Sequence, residues 1–221
     1  MKLSLSTYRE YILKNKLSIL KQLFSLSYLL YFTTINAQTW KQSIDFPSTE
    51  RDDGVVFVIG NNAYCGTGLK SGWITSSDFY SFDMNSESWT TIKNLPKDKK
   101  RQYAIGFSSL NYGYVFGGVN GGDFLNDIWQ YDPIINKWTE KSVLPSNGRN
   151  GVACFVIKNI AYIIGGKTVS KITNNELWAY DMINDTWQQK NNLPFGGCWR
   201  SSATTVKDKG YLTKSLVEFP G

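Results

Sequence analysis

Four tryptophans recur at a constant interval of 49 residues along this chain. Leu-Pro pairs and aspartates that follow an aromatic residue keep the same interval. These positions are Trp40, Trp89, Trp138 and Trp187; Leu95-Pro96, Leu144-Pro145 and Leu193-Pro194; and Asp83, Asp132 and Asp181. A fixed period of this length indicates that one supersecondary unit is copied along the chain. The spacing therefore predicts an array of similar units rather than one irregular core.

Each period predicts a four-stranded antiparallel meander. The third unit contains the runs VACFVI, IAYIIGG, LWAYD and TWQQK, which are rich in β-branched and aromatic residues. Lys158-Asn159 separates the first two runs and predicts a tight turn. No segment after residue 38 has a sustained helical period. Because so short a meander cannot bury both of its faces alone, neighbouring units are expected to stack face to face.

A glycine pair ending a strand, a Tyr-Asp pair and a tryptophan follow one another within a unit. They are Gly117-Gly118, Tyr131-Asp132 and Trp138 in one unit, Gly165-Gly166, Tyr180-Asp181 and Trp187 in the next, and Thr67-Gly68 and Phe82-Asp83 in the first, divergent unit. This pattern resembles the kelch repeat over roughly residues 40–213. The resemblance implies an all-β fold, a partial kelch-type β-propeller with three full four-stranded blades plus strands of a fourth.

The expected boundaries follow from this pattern. Blades are predicted near residues 51–89, 101–138 and 149–187, preceded by a strand around Trp40. The propeller arc is predicted to occupy residues 38–213, and residues 214–221 fall outside the repeat pattern. The chain therefore ends after half of a further unit. Either it is a truncated relative of a longer protein, or it self-associates with another chain through its open blade edges.

The first 37 residues differ from the repeats. Five basic residues up to Lys21 precede the apolar stretch from Leu23 to Thr34, and Ala37 offers a small residue at the expected cleavage point. This organisation predicts a signal peptide over residues 1–37, hence a secreted, periplasmic or cell-surface bacterial protein that begins at Gln38 and has no membrane segment after cleavage. An uncleaved membrane anchor is the alternative. Removing the segment leaves 19 basic and 17 acidic residues.

Composition excludes several kinds of chemistry. The chain has no histidine, so it has no histidine general base, no Ser-His-Asp triad and no imidazole metal ligand. Cys65, Cys154 and Cys198 lack metal-binding spacing, and three cysteines allow at most one internal disulfide. The only dense basic run, from Lys97 to Arg101, is not interleaved with aromatic residues, which argues against nucleic acid. We predict no cofactor, no metal and no catalytic residue.

One basic residue opens each unit, and four arginines are candidate binding residues. They are Arg51, Arg101, Arg149 and Arg200. The kelch resemblance implies that the first strand of a blade lines the central channel, so these arginines are expected near one mouth of it. A guanidinium group can pair two oxygens of a carboxylate or sulfate at once. The alternative is that each arginine is a structural tie to a backbone carbonyl or to a loop carboxylate such as Asp52.

The loops after the glycine pairs share almost no sequence, as expected of segments that decorate the scaffold. Trp73 lies in the first of these loops and has no counterpart in the others. Its ring either stacks on a sugar or folds back over the blade.

Two classes of function fit these observations. The first is an exported non-catalytic binding module whose loops recognise a protein or an acidic glycan. The second is a truncated relative of the sialate mutarotases, which the kelch resemblance implies as exported kelch enzymes. These enzymes need carboxylates and arginines rather than a metal, so the absence of histidine does not exclude them. A carboxylate facing inward beside Arg101 or Arg149 would favour the second.

Overall fold

The computed structural model describes residues 16–17, 21, 40–109, 111–170 and 172–214. The chain divides into two compact units, Met1–Gln42 and Ser43–Gly221. In the first unit residues 16–17 and 21 are helical. The apolar stretch from Leu23 to Thr34, the expected cleavage point and the tail beyond residue 214 lie outside the described residues. No helix within the described ranges is long and apolar enough to cross a membrane.

The second unit consists of β-strands and one short 3-10 helix, Lys97–Lys99. In chain order the strands are β1 (Arg51–Asp52), β2 (Val55–Ile59), β3 (Asn62–Gly66), β4 (Leu69–Lys70), β5 (Ile74–Thr75), β6 (Phe79–Asp83), β7 (Ser88–Thr91), β8 (Ile105–Ser108), β9 (Gly113–Phe116), β10 (Val119–Asn120), β11 (Asp123–Phe124), β12 (Ile128–Asp132), β13 (Lys137–Lys141), β14 (Ala153–Ile157), β15 (Ile160–Ile164), β16 (Leu177–Asp181), β17 (Thr186–Lys190), β18 (Ser202–Val206) and β19 (Lys209–Thr213).

Twelve of these strands form three four-stranded antiparallel meanders. Their orders are β2-β3-β6-β7 (blade 1), β8-β9-β12-β13 (blade 2) and β14-β15-β16-β17 (blade 3). The hairpin β18-β19 supplies two strands of a fourth blade. The predicted partial propeller is confirmed, and the four runs of the third unit coincide with β14 to β17 within about two residues.

Two features differ from the expectations. Residues 40–50 contain no strand, so the prediction of a leading strand around Trp40 is wrong. In blades 1 to 3 the fourth strand hydrogen-bonds to the third strand of the same blade. Of the last blade, only strands β18 and β19 are described. The short sheets β1-β4-β5 and β10-β11 were not predicted, because two-residue strands leave no period in the sequence.

The core lies between the blades rather than inside any one of them. Val55 and Phe57 of β2 are buried in one cluster with Trp129, Tyr131 and Trp138 of blade 2. A second cluster joins blades 2 and 3, and a smaller one joins blade 3 to the last hairpin. Alternation along β2 sends every second side chain into this interface. Face-to-face stacking is therefore what buries the apolar residues.

The repeat tryptophans connect successive units. Each indole Nε1 donates to a backbone carbonyl 45 residues upstream, which lies in the preceding unit. The donor–acceptor pairs are Trp89 to Ile44 at 3.4 Å, Trp138 to Lys93 at 2.7 Å and Trp187 to Ser142 at 2.6 Å. Each tryptophan therefore combines apolar packing with a satisfied polar group.

Burial of the three tryptophans is less uniform than their spacing predicts. Trp138 is 7% exposed, whereas Trp89 and Trp187 are only half-buried. Trp138 packs on Phe79, with ring centroids 4.7 Å apart. Ile128 is the residue 49 positions after Phe79, and Trp187 packs instead on Phe116, with ring centroids 5.5 Å apart.

The glycine pairs and the aspartates have the structural roles expected of them. Gly117 and Gly118 have φ of +64° and +98°, and a Cβ on Gly118 would lie 2.7 Å from the Gln102 carbonyl oxygen. Only glycine fits such a position without strain. Asp132 Oδ1 accepts the amide of Ile134 at 2.8 Å and so caps the turn between two strands.

Replacing Trp138 by alanine is expected to lower the free energy of unfolding by about 3–5 kcal/mol, because it empties the interface between blades 1 and 2. Trp73→Ala is the matched control, since Trp73 is 87% exposed and should cost less than about 0.5 kcal/mol. Urea unfolding of both variants measures the difference. Equal losses would mean that the core has been assigned to the wrong tryptophan.

Candidate functional site: the channel mouth

The residues that open the units and the variable loops lie at the same end of the blades. β1 pairs with β4, so Arg51 lies opposite Lys70 of the first loop. Isolated bridges join Gln102 to Val119 and Asn150 to Lys167 in the same way. We call this end the channel mouth, defined by residues 51–53, 101–103, 149–151 and 198–200 with the loops beside them.

Three of the four candidate arginines are buried against a carboxylate. Arg101 forms a bidentate salt bridge with Asp127, with distances of 2.7 Å from Nη1 to Oδ1 and 2.9 Å from Nη2 to Oδ2. Arg149 Nη2 lies 2.8 Å from Glu176 Oε2, and Arg51 pairs with Asp78. The side chains of Arg101 and Arg149 are fully buried.

The same arginines also satisfy the backbone around the glycine pairs. Arg101 Nη1 donates to the Gly117 carbonyl at 3.1 Å, and Arg51 Nη1 donates to the Thr67 carbonyl at 3.0 Å. Each arginine thus ties the start of its own unit to the end of the second strand and the start of the third. The partner carboxylates differ from Asp52, the loop carboxylate expected from the sequence.

Nearby donors keep these carboxylates ionised. Burial by itself would raise the pKa of Glu176, but hydrogen bonds from Trp178, Arg149 and Ser146 outweigh it and lower the pKa to about 2. For Asp127, burial is likewise outweighed by the Arg101 guanidinium and the Trp129 indole, so its pKa is lowered. Both groups are therefore suited to holding a cation rather than to transferring a proton near neutral pH.

Arg200 occupies a different register from the other three arginines. The glycine-pair amides of Gly118 and Gly166 donate to the carbonyls of Arg149 and Cys198 respectively, so Cys198 takes the arginine position in the last unit. Arg200 lies two residues further along, and its amide donates to the Gly151 carbonyl at 2.7 Å. Arg200 is consequently free of the buried tie that holds the others.

The residues of each unit that are equivalent to Arg200 are linked to one another by backbone hydrogen bonds at the mouth. The amide of Tyr103 donates to the Asp53 carbonyl, and that of Gly151 to the Tyr103 carbonyl. All four members have left-handed φ: Asp53 +52°, Tyr103 +55°, Gly151 +59° and Arg200 +53°. Arg200 Nη2 then reaches Asp53 Oδ1 at 2.7 Å, which connects the last described unit to the first. Strained backbone of this kind is held in place by its neighbours.

Cations and aromatic rings alternate beside these residues. The Arg200 guanidinium carbon lies 4.8 Å from the Tyr103 ring centroid and 5.2 Å from that of Trp199. Lys167 Nζ lies 4.1 Å from the Trp199 ring centroid. Trp199 is fixed by its Nε1 donating to Asn150 Oδ1 at 2.9 Å. We call Asp53, Tyr103, Lys167, Trp199 and Arg200 the mouth cluster.

Arg51 and Trp73 meet in a second place at the same end. A cavity of 390 Å³ is lined by Arg51, Lys70 and Trp73 together with neighbouring residues of β1, β4 and their loops. Trp73 is 87% exposed, so its ring does not fold over the blade. The structure therefore brings two predicted binding residues together there, and Arg200 lies in the separate mouth cluster.

The carboxylates that hold the arginines were not predicted from the sequence. Asp78, Asp127 and Glu176 follow the same interval of 49 residues as the tryptophans, and each immediately precedes the third strand of its blade. That periodicity was the signal that could have found them. The binding role of Arg51, Arg101 and Arg149 stays a prediction. The guanidinium groups of these three arginines are paired with protein carboxylates.

The chain contains no metal centre that could alter this picture within its described part, where no group of three potential ligands from Cys, Asp and Glu occurs. The three cysteines are free thiols. Burial raises the pKa of all three thiols.

Comparison with known proteins supports the repeat assignment. The model of the KLHDC2/KLHL20/DRC7 Kelch-repeats domain matches residues 21–213. A solved structure described as "Structure of YjhT" superposes with a TM-score of 0.70 at 17% identity, covering 79% of this chain and 62% of that one. At that identity the likeness shows the fold.

Curated relatives match over shorter stretches. Beta-scruin of Limulus polyphemus is 26% identical over 151 residues, covering 62% of this chain and 15% of its own length. Human Kelch domain-containing protein 10 is 28% identical over 126 residues, covering 51% and 28%. N-acetylneuraminate epimerase of Pasteurella multocida (strain Pm70) is 29% identical over 121 residues, covering 51% and 30%. The chain thus spans a third or less of the length of these three relatives.

Arg101→Ala is expected to lower the free energy of unfolding by about 3–5 kcal/mol, because it leaves the Asp127 carboxylate buried without its cation. Arg200→Ala is the matched control. Its side chain is 47% exposed, so its loss should cost less than about 1 kcal/mol. Chemical denaturation of both variants compares them. A loss at Arg101 no larger than that at Arg200 would contradict the role of the buried pair.

Proposed function

The chain belongs to the kelch-repeat family, and from that premise we propose that it is an exported, non-catalytic binding module whose mouth cluster holds an acidic glycan. The observation that carries the proposal is the position of Arg200. Only its Nη2 has a hydrogen-bond partner in the described part of the chain, and the rest of its guanidinium group can meet a ligand carboxylate. Such charge-assisted pairs are the strong ones in recognition.

The aromatic members of the mouth cluster suit a sugar. Tyr103 and Trp199 are each half-buried, with ring centroids 6.4 Å apart and Arg200 against both. A pyranose ring can lie against such a surface while its carboxylate meets Arg200 or Lys167. Asp53 pairs with Arg200 through Nη2 alone. The remaining guanidinium nitrogens and the Lys167 ammonium group carry the positive charge that favours acidic over neutral sugars.

Catalysis is the second candidate, and it is favoured by the match to an N-acetylneuraminate epimerase. Carboxylates do lie beside Arg101 and Arg149, as this candidate requires, but Asp127 and Glu176 have lowered pKa values and are paired. Groups of that kind hold an arginine in place and are weak bases. Binding is therefore the function that this geometry supports better.

Arg200→Ala is expected to weaken binding of N-acetylneuraminate by about 1.5–3 kcal/mol, the range for hydrogen bonds to charged groups. Titration calorimetry of the parent and the variant measures it, with N-acetylmannosamine as the neutral sugar. Lys209→Ala is the matched control, since it removes an exposed cation from the turn at the far end of β18. The parent should bind the acidic sugar more tightly than the neutral one.

The same samples separate the two candidates. Nuclear magnetic resonance follows exchange between the anomers of N-acetylneuraminate, and a binding module leaves that rate at its uncatalysed value. Acceleration that Arg200→Ala abolishes would replace the binding proposal by the enzymatic one. Equal affinity of parent and Arg200→Ala for the acidic sugar would remove the mouth cluster from consideration and leave the cavity of Arg51 and Trp73.

Export makes a separate prediction. The basic front, the apolar stretch and Ala37 organise residues 1–37 as a signal peptide, so the mature protein is expected to begin at or near Gln38. Intact mass and N-terminal sequencing of material from the extracellular or periplasmic fraction check this. A membrane-bound species that retains Lys2 to Lys21 would indicate an uncleaved anchor instead.

A further inference from the structure

A groove with three lysines lies between blades 1 and 2. It has a volume of 720 Å³ and is lined by residues 91–97, which follow β7, and by Ser77, Lys137 and Trp138. Lys93, Lys97 and Lys137 are its charged members, and no Asp or Glu is among the described residues that line it. A volume of this size suits a ligand of one or two sugar rings.

The three ammonium groups have no protein partner in the described part of the chain. The lysines that do form ion pairs there are different ones: Lys70, Lys99 and Lys141. Lys93, Lys97 and Lys137 are all exposed. Asp132, opposite Lys137 in the strand pairing, uses its Oδ1 on turn amides. The groove therefore carries positive charge that the fold itself does not neutralise.

The equivalent place between blades 2 and 3 serves as an internal comparison. Ser142 occupies the place of Lys93: the indole of Trp187 donates to its carbonyl at 2.6 Å, as Trp138 does to Lys93 at 2.7 Å. Its amide also donates to Asp185 Oδ1 at 2.9 Å, as that of Lys93 does to Asn136 Oδ1 at 2.8 Å. The two backbones are held alike.

The side chains at the matching positions are nevertheless different. By the 49-residue interval, Lys93, Lys97 and Lys137 correspond to Ser142, Ser146 and Thr186. Hydroxyl residues thus occupy the three matching positions between blades 2 and 3. The lysines of the first groove are not required by the packing between blades, and their concentration at one of two equivalent places calls for another explanation.

We propose that this groove binds a sulfated saccharide. Lysine ammonium groups are compact, mobile point charges that suit the separated anionic groups of such a ligand. The hydroxyls of Ser77 and Thr91 border the same groove and can meet sugar hydroxyls. Trp138 is 7% exposed, so its ring offers no platform on which a nucleic acid base could stack. A saccharide therefore fits the groove better than a nucleic acid.

The groove is separate from the mouth cluster, so the proposal stands independently of the function argued above. None of Asp53, Tyr103, Lys167, Trp199 or Arg200 lines it. The mouth cluster is expected to hold a single carboxylate, whereas the groove holds several sulfates. Variants in one site are consequently expected to leave the ligand of the other unaffected.

The test replaces the three lysines by the residues at the matching positions between blades 2 and 3. The three lysine side chains are exposed, so the full chain with Lys93→Ser, Lys97→Ser and Lys137→Thr should match the parent in melting temperature. Its affinity for a heparin-derived tetrasaccharide should fall at least about tenfold. The parent should bind the desulfated tetrasaccharide much more weakly than the sulfated one, and added salt should weaken the sulfated complex.

A second triple variant controls for net charge. Lys158→Asn, Lys207→Asn and Lys209→Thr removes three exposed lysines from the turns of blade 3 and the last hairpin, and it should bind the tetrasaccharide as the parent does. Equal weakening in both triple variants would reduce the effect to overall charge and overturn the proposal. Unchanged affinity in the groove variant would overturn it as well, as would tighter binding of a single-stranded oligonucleotide at the same lysines. Arg200→Ala should leave tetrasaccharide binding unchanged.

Discussion

A buried arginine paired with a carboxylate organises the channel-mouth end of each complete blade. In blade 2 the fully buried guanidinium group of Arg101 bonds to Asp127 and to the Gly117 carbonyl. Through these bonds one side chain fixes the entry to the first strand, the end of the second and the start of the third. Removing either charge would leave the other uncompensated in a medium of low dielectric. The variable loops project from this rigid frame.

The last unit lacks this tie, and its Arg200 is exposed and pairs with Asp53 through Nη2. Cys198 replaces the arginine in the last unit and is buried with Ala153 and Ile164 of blade 3. Arg200, two residues later, leaves the blade and lies against Tyr103 and Trp199 at the mouth. A change of two positions within the repeat therefore moves an arginine from a buried tie within its own unit to the surface of the mouth.

Prediction from the sequence was accurate where the repeat leaves a signal and failed where it does not. Strands β14 to β17 coincide closely with the apolar runs, because period-two alternation and β-branched residues specify them locally. The prediction of an arginine ring was less accurate. Arg51, Arg101 and Arg149 occupy one position of the repeat, whereas Arg200 lies two residues further along. The spacings between successive arginines are 50, 48 and 51 residues, and this scatter around the 49-residue interval hid the difference.

The sequence by itself determined the repeat, the four strands of each unit and the need for units to stack, because these depend on spacing and on apolar pattern alone. Only the tertiary structure decided which arginine is buried, which carboxylate holds it, and that Lys93, Lys97 and Lys137 share a groove. Those relations join residues that lie tens of positions apart, and they exist only once neighbouring blades are in register. A chain read in one dimension shows the charges, whereas their pairing requires the fold.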